Sequence, residues 1–245
     1  MDDPLHKHGR FFDVWSNFYR RTLLGLELRR IQRQALERLR VVPGQRVLDL
    51  GCGPGDGTSR LNGSGAVAIG LDYSDGMLDT ARRAPSNAGR LTRGDAGRLP
   101  FRDGAFDAVY CYHVLEHVPG PESAVREAHR VLAPRGVGYF GTPTKSRIVG
   151  YLGGRATTWE KVAWNATDWW QRLTGRWSNA QGAHAGFTDR ELLRLLGAEF
   201  ARVESVSLPY YLGKYPRLAG LWRTSYRLGF ARFLAPSVYA RVGGG

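Results

Sequence analysis

VLDLGCGPGDGT, residues 47–58, is the stretch of the chain that decides its fold. A short apolar run carries one acid, Asp49, and passes directly into a loop rich in glycine. The glycines stand at alternate positions: Gly51, Gly53, Gly55 and Gly57. This pattern predicts a strand that ends in a tight loop. Because glycine has no Cβ and tolerates positive φ, the backbone of such a loop can close around a ligand. We therefore expect a small molecule to bind here.

The spacing of these glycines argues against two common nucleotide sites. A dinucleotide fingerprint has glycine at its first, third and sixth positions, but the sixth position counted from Gly51 is Asp56. A phosphate-binding P-loop ends in Gly-Lys followed by Ser or Thr, whereas Gly57-Thr58 lacks the lysine. The loop therefore predicts neither a pyrophosphate site nor a nucleoside triphosphate site.

Later segments point to one family. Asp72 follows a second apolar run about 20 residues beyond the first glycine, where such folds place an acid that hydrogen-bonds ribose hydroxyls. The next segments are, in order, GDA at 94–96, LPF at 99–101, FDAV at 106–109, HVLEHV at 113–118 and RVL at 130–132. With the glycine loop they resemble, in the same order, the motifs of the class I S-adenosylmethionine-dependent methyltransferases. The resemblance covers residues 46–142.

The resemblance implies that the cofactor is S-adenosylmethionine, and it implies which positions bind it. Asp49 would hold the loop and approach the amino group, Asp72 would bind the ribose, and Asp95 with Ala96 would meet the adenine. Tyr112 or Cys111, just past strand four, would border the methionine end. The full set of expected cofactor-binding residues is Asp49, Gly51, Cys52, Gly53, Gly55, Asp72, Tyr73, Met77, Asp95, Ala96 and Tyr112.

Apolar periodicity predicts an α/β fold. The predicted strands are residues 46–50, 66–71, 90–93, 106–111, 137–141, 200–208 and 237–242, and the predicted helices are residues 16–40, 75–83, 121–132 and 192–196. Strands alternating with helices imply parallel pairing with helices on both faces of the sheet. The resemblance implies a Rossmann-like sheet of seven strands, mostly parallel, with an antiparallel last strand.

The 245 residues suit a single methyltransferase domain. We expect N-terminal cap helices over residues 1–45 and a cofactor-binding core over residues 46–142. A tryptophan-rich lid, residues 143–187, would be inserted after strand five. Residues 188–245 would supply a helix, strand six and a basic, aromatic C-terminal segment.

Composition limits the other classes of protein. The two cysteines, Cys52 and Cys111, are too few for a disulfide scaffold and lack metal-ligand spacing, so no metal is expected. No apolar run approaches the ~18 residues of a membrane span, and the N-terminus has no signal-peptide pattern. We therefore expect a soluble, cytoplasmic protein. Nothing in the sequence indicates its oligomeric state.

The net charge of +13 favours an anionic partner. Residues 205–245 contain no acid but many arginines and aromatic residues. If residues 217–234 form one helix, an aromatic stripe with two arginines beside it would face one side: Trp222, Tyr226, Phe230 and Phe233, with Arg223 and Arg227. That stripe would either contact an anionic membrane or pack on the sheet while the arginines stay solvated.

Three residues are candidates for catalysis. His113 follows strand four at the reactive end of the expected cofactor site. His184 resembles a histidine that relatives with a lid place before a similar Phe-Ser/Thr segment. Tyr19 resembles part of an aromatic N-terminal segment in relatives that act on quinones and phospholipids. Each has a plain alternative as a packed residue, since methyl transfer by positioning alone needs no base.

The leading function is methyl transfer to a small lipophilic or aromatic acceptor of quinone or phospholipid type. The tryptophans of the lid suit a substrate taken from an anionic membrane surface, and so does the basic tail, residues 205–245. A natural-product methyltransferase acting on a polyketide or soluble aromatic molecule is the alternative. An RNA methyltransferase fits less well, because the sequence shows neither an RNA-binding module nor an Asn-Pro-Pro-Tyr type motif. A cofactor-binding protein without catalysis also stays open.

Overall fold

The computed structural model describes residues 37–148, 157–179 and 185–243. Two of the three candidate catalytic residues, Tyr19 and His184, lie outside these ranges, as does most of the predicted helix 16–40. The last residues of that helix differ from the prediction. Glu37–Leu39 is a single 3₁₀ turn, and Arg40 leaves it with a φ of 53°. A left-handed residue cannot continue an α-helix, so the helical periodicity stops before Arg40.

The described residues form one seven-stranded sheet in the order β3-β2-β1-β4-β5-β7-β6. The strands are β1 Arg46–Leu50, β2 Val67–Asp72, β3 Leu91–Arg93, β4 Phe106–Tyr112, β5 Leu132–Pro143, β6 Arg202–Ser205 and β7 Ser237–Gly243. β1 to β5 pair in parallel, and β7 runs antiparallel to both β5 and β6. The predicted Rossmann-like fold with an antiparallel last strand is confirmed.

Helices connect the strands. In the described ranges they are α1 Asp56–Gly63, α2 Asp75–Ala81, α3 Pro121–Val131, α4 Thr158–Leu173, α5 Asp189–Gly197, α6 Ser207–Lys214, α7 Ala219–Arg227 and α8 Ala231–Leu234. Both α4 and α5 begin with a capping box, in which Thr157 pairs with Glu160 and Thr188 pairs with Glu191. These reciprocal hydrogen bonds satisfy the first free N–H groups of each helix and fix where it begins.

Alternating side chains of the strands build two cores, one on each face of the sheet. Leu48 and Leu50 of β1 lie on one face with Phe140 of β5. Val47 lies on the other face, which carries a cluster of tyrosines: Tyr110, Tyr112, Tyr139, Tyr210, Tyr211 and Tyr239. Both faces of the sheet are covered. A ligand is therefore expected beyond the carboxyl ends of β1, β2 and β4.

Strand six is shorter than the predicted 200–208. It covers only Arg202–Ser205, because Phe200 packs into the core before the strand begins and Ser207 starts α6. The Ser207 hydroxyl accepts a hydrogen bond from the backbone N–H of Tyr239 and donates to that residue's carbonyl oxygen. The Ser207 side chain thus ties the start of α6 to β7, at a position that the prediction assigned to strand six.

The predicted single helix 217–234 is wrong. Gly229 adopts a φ of 77° and separates α7 from α8, so the four aromatic residues do not form one stripe. Trp222 is buried against Tyr211 in the tyrosine core, whereas Phe230 is 58% exposed. One of the four stripe residues, Trp222, therefore belongs to the interior of the protein, and Tyr226 packs partly buried against the same core.

Candidate active site

The glycine loop after β1 is fastened to the neighbouring strand. The backbone N–H groups of Gly51 and Cys52 both donate to the carbonyl oxygen of Leu71, at 2.8 and 2.9 Å. Three glycines of the loop have positive φ: 68° at Gly51, 52° at Gly53 and 78° at Gly55. This path is the one that the alternating glycines predicted, since L side chains rarely adopt it.

The three glycines differ in what surrounds them. A Cβ at Gly51 would lie 2.2 Å from the Val114 side chain, and one at Gly55 would lie 2.6 Å from Ala81. At Gly53 a Cβ would meet no atom within 4 Å. Gly51 and Gly55 are thus required by the packing of the protein itself. Gly53 instead faces open space beside the end of β1, here called the cradle, which leaves the loop backbone accessible to a ligand.

Asp72 lies beside that cradle at the end of β2. Its Oδ2 accepts a hydrogen bond from the backbone N–H of Gly53 at 2.8 Å, and its Oδ1 accepts from the N–H of Ser74 at 2.9 Å. The carboxylate is half-buried. Each oxygen can accept a further hydrogen bond, so Asp72 can hold the loop and still receive ribose hydroxyls.

We expect Asp72→Ala to weaken binding of S-adenosylhomocysteine, measured by calorimetry, by roughly 1.5–3 kcal/mol. The change removes both the support of Gly53 and a charged acceptor for the ligand. Asp75→Ala is the matched control, because Asp75 is an exposed acid three residues away that pairs with Arg93. Unchanged affinity in Asp72→Ala would assign that residue to the turn alone.

Asp49 lies beneath the loop and is almost fully buried. Its Oδ2 accepts a hydrogen bond from the Thr58 hydroxyl of α1 at 2.7 Å. The pKa of Asp49 is raised to about 7, mainly by burial; hydrogen bonding to Thr58 opposes that rise, and the nearby carboxylates of Asp72 and Asp56 contribute to it. Asp49 therefore ties the loop to the first helix.

The remaining cofactor residues of the prediction surround the same strand ends. Asp95 is half-buried and accepts a hydrogen bond from the N–H of Gly97 at 2.8 Å. Ala96 packs on the core beside it. Met77 is buried in the first turn of α2, and Tyr73 lies with the Arg93 guanidinium 5.6 Å from its ring centre. Cys52, also buried, packs above β2.

The end of β4 differs in detail from the prediction. The Cys111 side chain lies in the core on one face, and the Tyr112 ring lies in the tyrosine core on the other. The Tyr112 ring stacks on the His113 imidazole with their centres 4.2 Å apart. Tyr112 is therefore placed to orient His113, and only its backbone lies at the edge of the sheet.

His113 has an unusual backbone conformation directly after the carboxyl end of β4. Its φ is 56°, and its backbone N–H donates to the carbonyl oxygen of Gly141 at 2.8 Å. The imidazole Nε2 lies 3.3 Å from the Ser237 hydroxyl, and Nδ1 lies 4.0 Å from Oε1 of Glu116. Non-glycine residues held at positive φ cluster at functional sites, where the surrounding structure sustains the strain.

Glu116 is the functional candidate that the sequence reasoning missed. It is buried, its Oε2 accepts from the Thr142 hydroxyl at 3.2 Å, and its Oε1 lies 3.9 Å from Nε2 of His117. Burial raises the pKa of Glu116 to about 8. The available signal was an acid flanked by histidines in the apolar segment HVLEHV. A buried carboxyl with a shifted pKa in a cleft is a candidate for chemistry.

We expect Glu116→Gln to flatten the pH dependence of unfolding. The folded pKa of Glu116 lies above the unfolded value, so the folded state keeps its proton longer and stability falls as pH rises from about 4.5 to about 8. A neutral amide removes that fall. Chemical denaturation at several pH values measures it, with the exposed Glu122→Gln as control. Parallel curves for Glu116→Gln and wild type would contradict the shifted pKa.

A largely buried ion pair attaches α4 to the segment that follows β5. The Arg147 guanidinium lies 3.0 Å from the Asp168 carboxylate of α4, with side chains 7% and 14% exposed. Arg147 and Arg172 both lie over the Trp177 ring, at 4.7 and 4.2 Å from its centre. This Arg147–Asp168 pair and its stacked neighbours fix α4 near the candidate site.

The helix α4 turns its apolar side outward. None of its residues is buried, and the exposed large apolar side chains are Trp159, Val162, Trp169, Trp170 and Leu173. They recur at helical spacing along one face, while Asp168 and Arg172 face the protein. Two of the tryptophans are among the most exposed, Trp159 at 82% and Trp170 at 65%. A surface helix of a globular protein usually has the opposite arrangement.

No group of three or more His, Cys, Asp or Glu residues in the described ranges could hold a metal ion. No helix there has the length and apolar character needed to cross a bilayer.

Comparisons with known proteins agree with this geometry. Residues 48–140 match the family described as methyltransferase domain. The demethylmenaquinone methyltransferase of Mycobacterium tuberculosis strain H37Rv is 43% identical over 131 residues, covering 51% of this chain and 54% of that protein. The chain therefore spans about half the length of the curated relatives it matches.

Solved structures match over nearly the whole chain. An S-adenosylmethionine-dependent methyltransferase of Thermotoga maritima has a TM-score of 0.59 at 19% identity, with 97% of this chain and 99% of that chain covered. The (4+2)-cyclase SpnF has a TM-score of 0.57 at 19% identity, covering 98% and 96%. At these identities the likeness shows the common fold.

Proposed function

The chain belongs to the class I S-adenosylmethionine-dependent methyltransferases, and we propose that it methylates a small lipophilic acceptor of quinone or phospholipid type. The observation that supports this most directly is the open cradle at Gly53, at the end of β1 and beside Asp72. A loop that leaves one glycine uncovered, while its neighbours pack against protein, fits a ligand that meets the backbone.

The charges around the cradle suit this cofactor. S-adenosylmethionine supplies a methyl group on a positively charged sulfur, which an acceptor atom can displace in line. Although the chain has a net charge of +13, two acids, Asp72 and Asp95, lie at the carboxyl ends of β2 and β3 on the side of the glycine loop. Their carboxyl groups offset the basic surface locally and favour a cationic ligand over an anionic one.

The part that His113 plays depends on the acceptor. If the acceptor must lose a proton, His113 is placed to take it, because stacking on Tyr112 and contact with Ser237 orient its ring. Once Glu116 is ionised, its negative charge near Nδ1 favours the imidazolium that results. An acceptor that is already nucleophilic needs only to be positioned, which is worth up to ~7–11 kcal/mol.

The outward apolar side of α4 supports a lipophilic acceptor. Tryptophan and leucine on one side of a helix are the residues that lie at the headgroup level of a bilayer, and basic surface charge adds attraction to anionic lipid. The tail contributes exposed apolar side chains of its own: Leu218, Leu221, Leu228 and Phe230. We propose that α4 and this tail rest on an anionic membrane and admit the acceptor from it.

Transfer of a labelled methyl group from S-adenosylmethionine tests the function. We expect label in a membrane lipid extract incubated with the protein, and none with RNA. Label only in a polar metabolite extract would favour the natural-product alternative. Incorporation into RNA would overturn both, and binding of cofactor without any transfer would leave a non-catalytic protein.

Co-sedimentation with vesicles tests the membrane contact separately. We expect binding to anionic vesicles that decreases as salt rises, since each surface arginine adds about 1 kcal/mol that is screened within a Debye length. Trp159→Ala with Trp170→Ala should weaken binding at every salt concentration, and Arg223→Glu with Arg227→Glu should weaken it most at low salt. Equal binding of both double variants and wild type would refute membrane contact.

A further inference from the structure

A second cavity lies away from the glycine loop, on the face of the sheet that carries the tyrosine core. It is a solvent-open cavity of about 560 Å³ between β5, β6, β7, α6 and the turn at Glu37–Leu39. Three of its lining residues form one row across the sheet, because Tyr139 pairs with Arg241 and Arg241 pairs with Glu204. β5 is two strands from β1, so the cavity begins about 10 Å to the side of the loop strand.

Basic side chains dominate this cavity. Arg38, Arg40, Lys214 and Arg241 line it, against two acids, Glu37 and Glu204. Within the described parts of the chain, no ion pair joins Arg40 or Arg241 to an acid. The excess of two positive charges around one concave surface attracts an anion.

The wall of the cavity also holds an unsatisfied donor. Tyr139 is 1% exposed, and its hydroxyl has no hydrogen-bond partner among the residues that the structure describes. Burial raises the pKa of Tyr139 well above its usual value, so the phenol stays protonated and can donate. A buried hydroxyl without a partner costs about 1–3 kcal/mol, a cost that a bound acceptor would remove.

We propose that this cavity is a second ligand site, and that it binds a phosphate ester carrying hydroxyl groups. Guanidinium groups match the geometry of phosphate oxygens, and the phenol of Tyr139 adds one neutral donor. The two carboxylates, Glu37 and Glu204, are acceptors for hydroxyls of the same ligand. None of the residues that line the cavity belongs to the cofactor site, so this proposal stands apart from the methyltransferase function.

Thermal denaturation with glucose 6-phosphate tests the site. A ligand that binds only the folded state raises the melting temperature in a saturable manner. We expect that response with glucose 6-phosphate and none with glucose. Arg40→Gln and Arg241→Gln should each lower the affinity about 10- to 100-fold, the scale of one charge-assisted hydrogen bond. The control is Arg102→Gln, an exposed arginine between β3 and β4 that lies outside both the cavity and the surface proposed to contact the membrane.

Tyr139→Phe keeps the test decisive if an arginine variant fails to fold. The change removes only the unpartnered hydroxyl, so we expect the unliganded protein to melt at a higher temperature while its affinity for glucose 6-phosphate falls. Affinity for S-adenosylhomocysteine should stay unchanged in all four variants.

Vesicles of phosphatidic acid distinguish a lipid headgroup from a soluble ester. Vesicle binding that Arg40→Gln weakens and Arg102→Gln does not would place the headgroup in the cavity. The proposal is overturned if neither glucose 6-phosphate nor these vesicles bind in a way that Arg40→Gln or Tyr139→Phe weakens. Equal losses in Arg102→Gln would likewise overturn it, because they would show attraction to the surface as a whole.

Discussion

Gly53→Val should abolish cofactor binding, with a loss of affinity for S-adenosylhomocysteine of at least about 100-fold, or ~3 kcal/mol. A branched side chain at this position would occupy the cradle, where no protein atom lies within 4 Å of the Cβ position. It would also have to adopt a φ of 52°, which β-branched residues rarely do. Calorimetry with the purified variant measures the loss of affinity for S-adenosylhomocysteine.

Gly229→Val is the matched control for the backbone cost. Gly229 has a φ of 77°, and a Cβ there would also meet no atom within 4 Å, but it lies between α7 and α8. We expect this variant to lose stability and to keep its affinity for the cofactor. Equal affinity in Gly53→Val and wild type would show that the cradle does not hold the ligand.

Asp168→Ala should release α4 from the protein. It leaves the Arg147 guanidinium buried without its counter-ion and beside the like charge of Arg172, and removing one partner of a buried ion pair typically costs about 3–5 kcal/mol. Hydrogen exchange of the α4 amides should accelerate by about 100-fold or more if the loss is local.

The surface pair between Asp79 and Arg82 provides the control for that experiment. Both of its side chains are more than half exposed, so Asp79→Ala should cost no more than about 1 kcal/mol. If the two variants exchange their α4 amides at the same rate, the Arg147–Asp168 pair does not anchor the lid.

The sequence predicted the parts of the site that depend on local geometry. A loop glycine at positive φ and an acid at the end of the next strand can each be recognised from a few neighbouring residues of the sequence, as Gly53 and Asp72 show. The approximate bounds of β1 to β4 followed from apolar runs for the same reason, whereas β5 begins at Leu132, five residues before its predicted start. The assignment of cofactor roles to individual residues stays a prediction.

The parts that were missed depend on contacts between distant positions. Arg147 and Asp168 are 21 residues apart, and the partner that fixes the glycine loop from the far side, Asn87, is 32 residues from Gly55. Glu116 looks like an ordinary loop acid until the fold buries it. The residues on either side of Gly229 are compatible with one continuous helix. Only the left-handed conformation of Gly229 separates α7 from α8.

The order of the strands has a consequence for synthesis. Because β7 lies between β5 and β6, its seven residues supply hydrogen bonds to both neighbours. During translation the first five strands can assemble as they emerge, but β6 has nothing to pair with until Ser237–Gly243 leaves the ribosome. The nascent chain therefore carries an unprotected edge on β5, of the kind that promotes aggregation, while residues 144–236 are synthesised. A chain that stops before Ser237 would lose two strands from the sheet, and α6 would lose the strand to which Ser207 ties it.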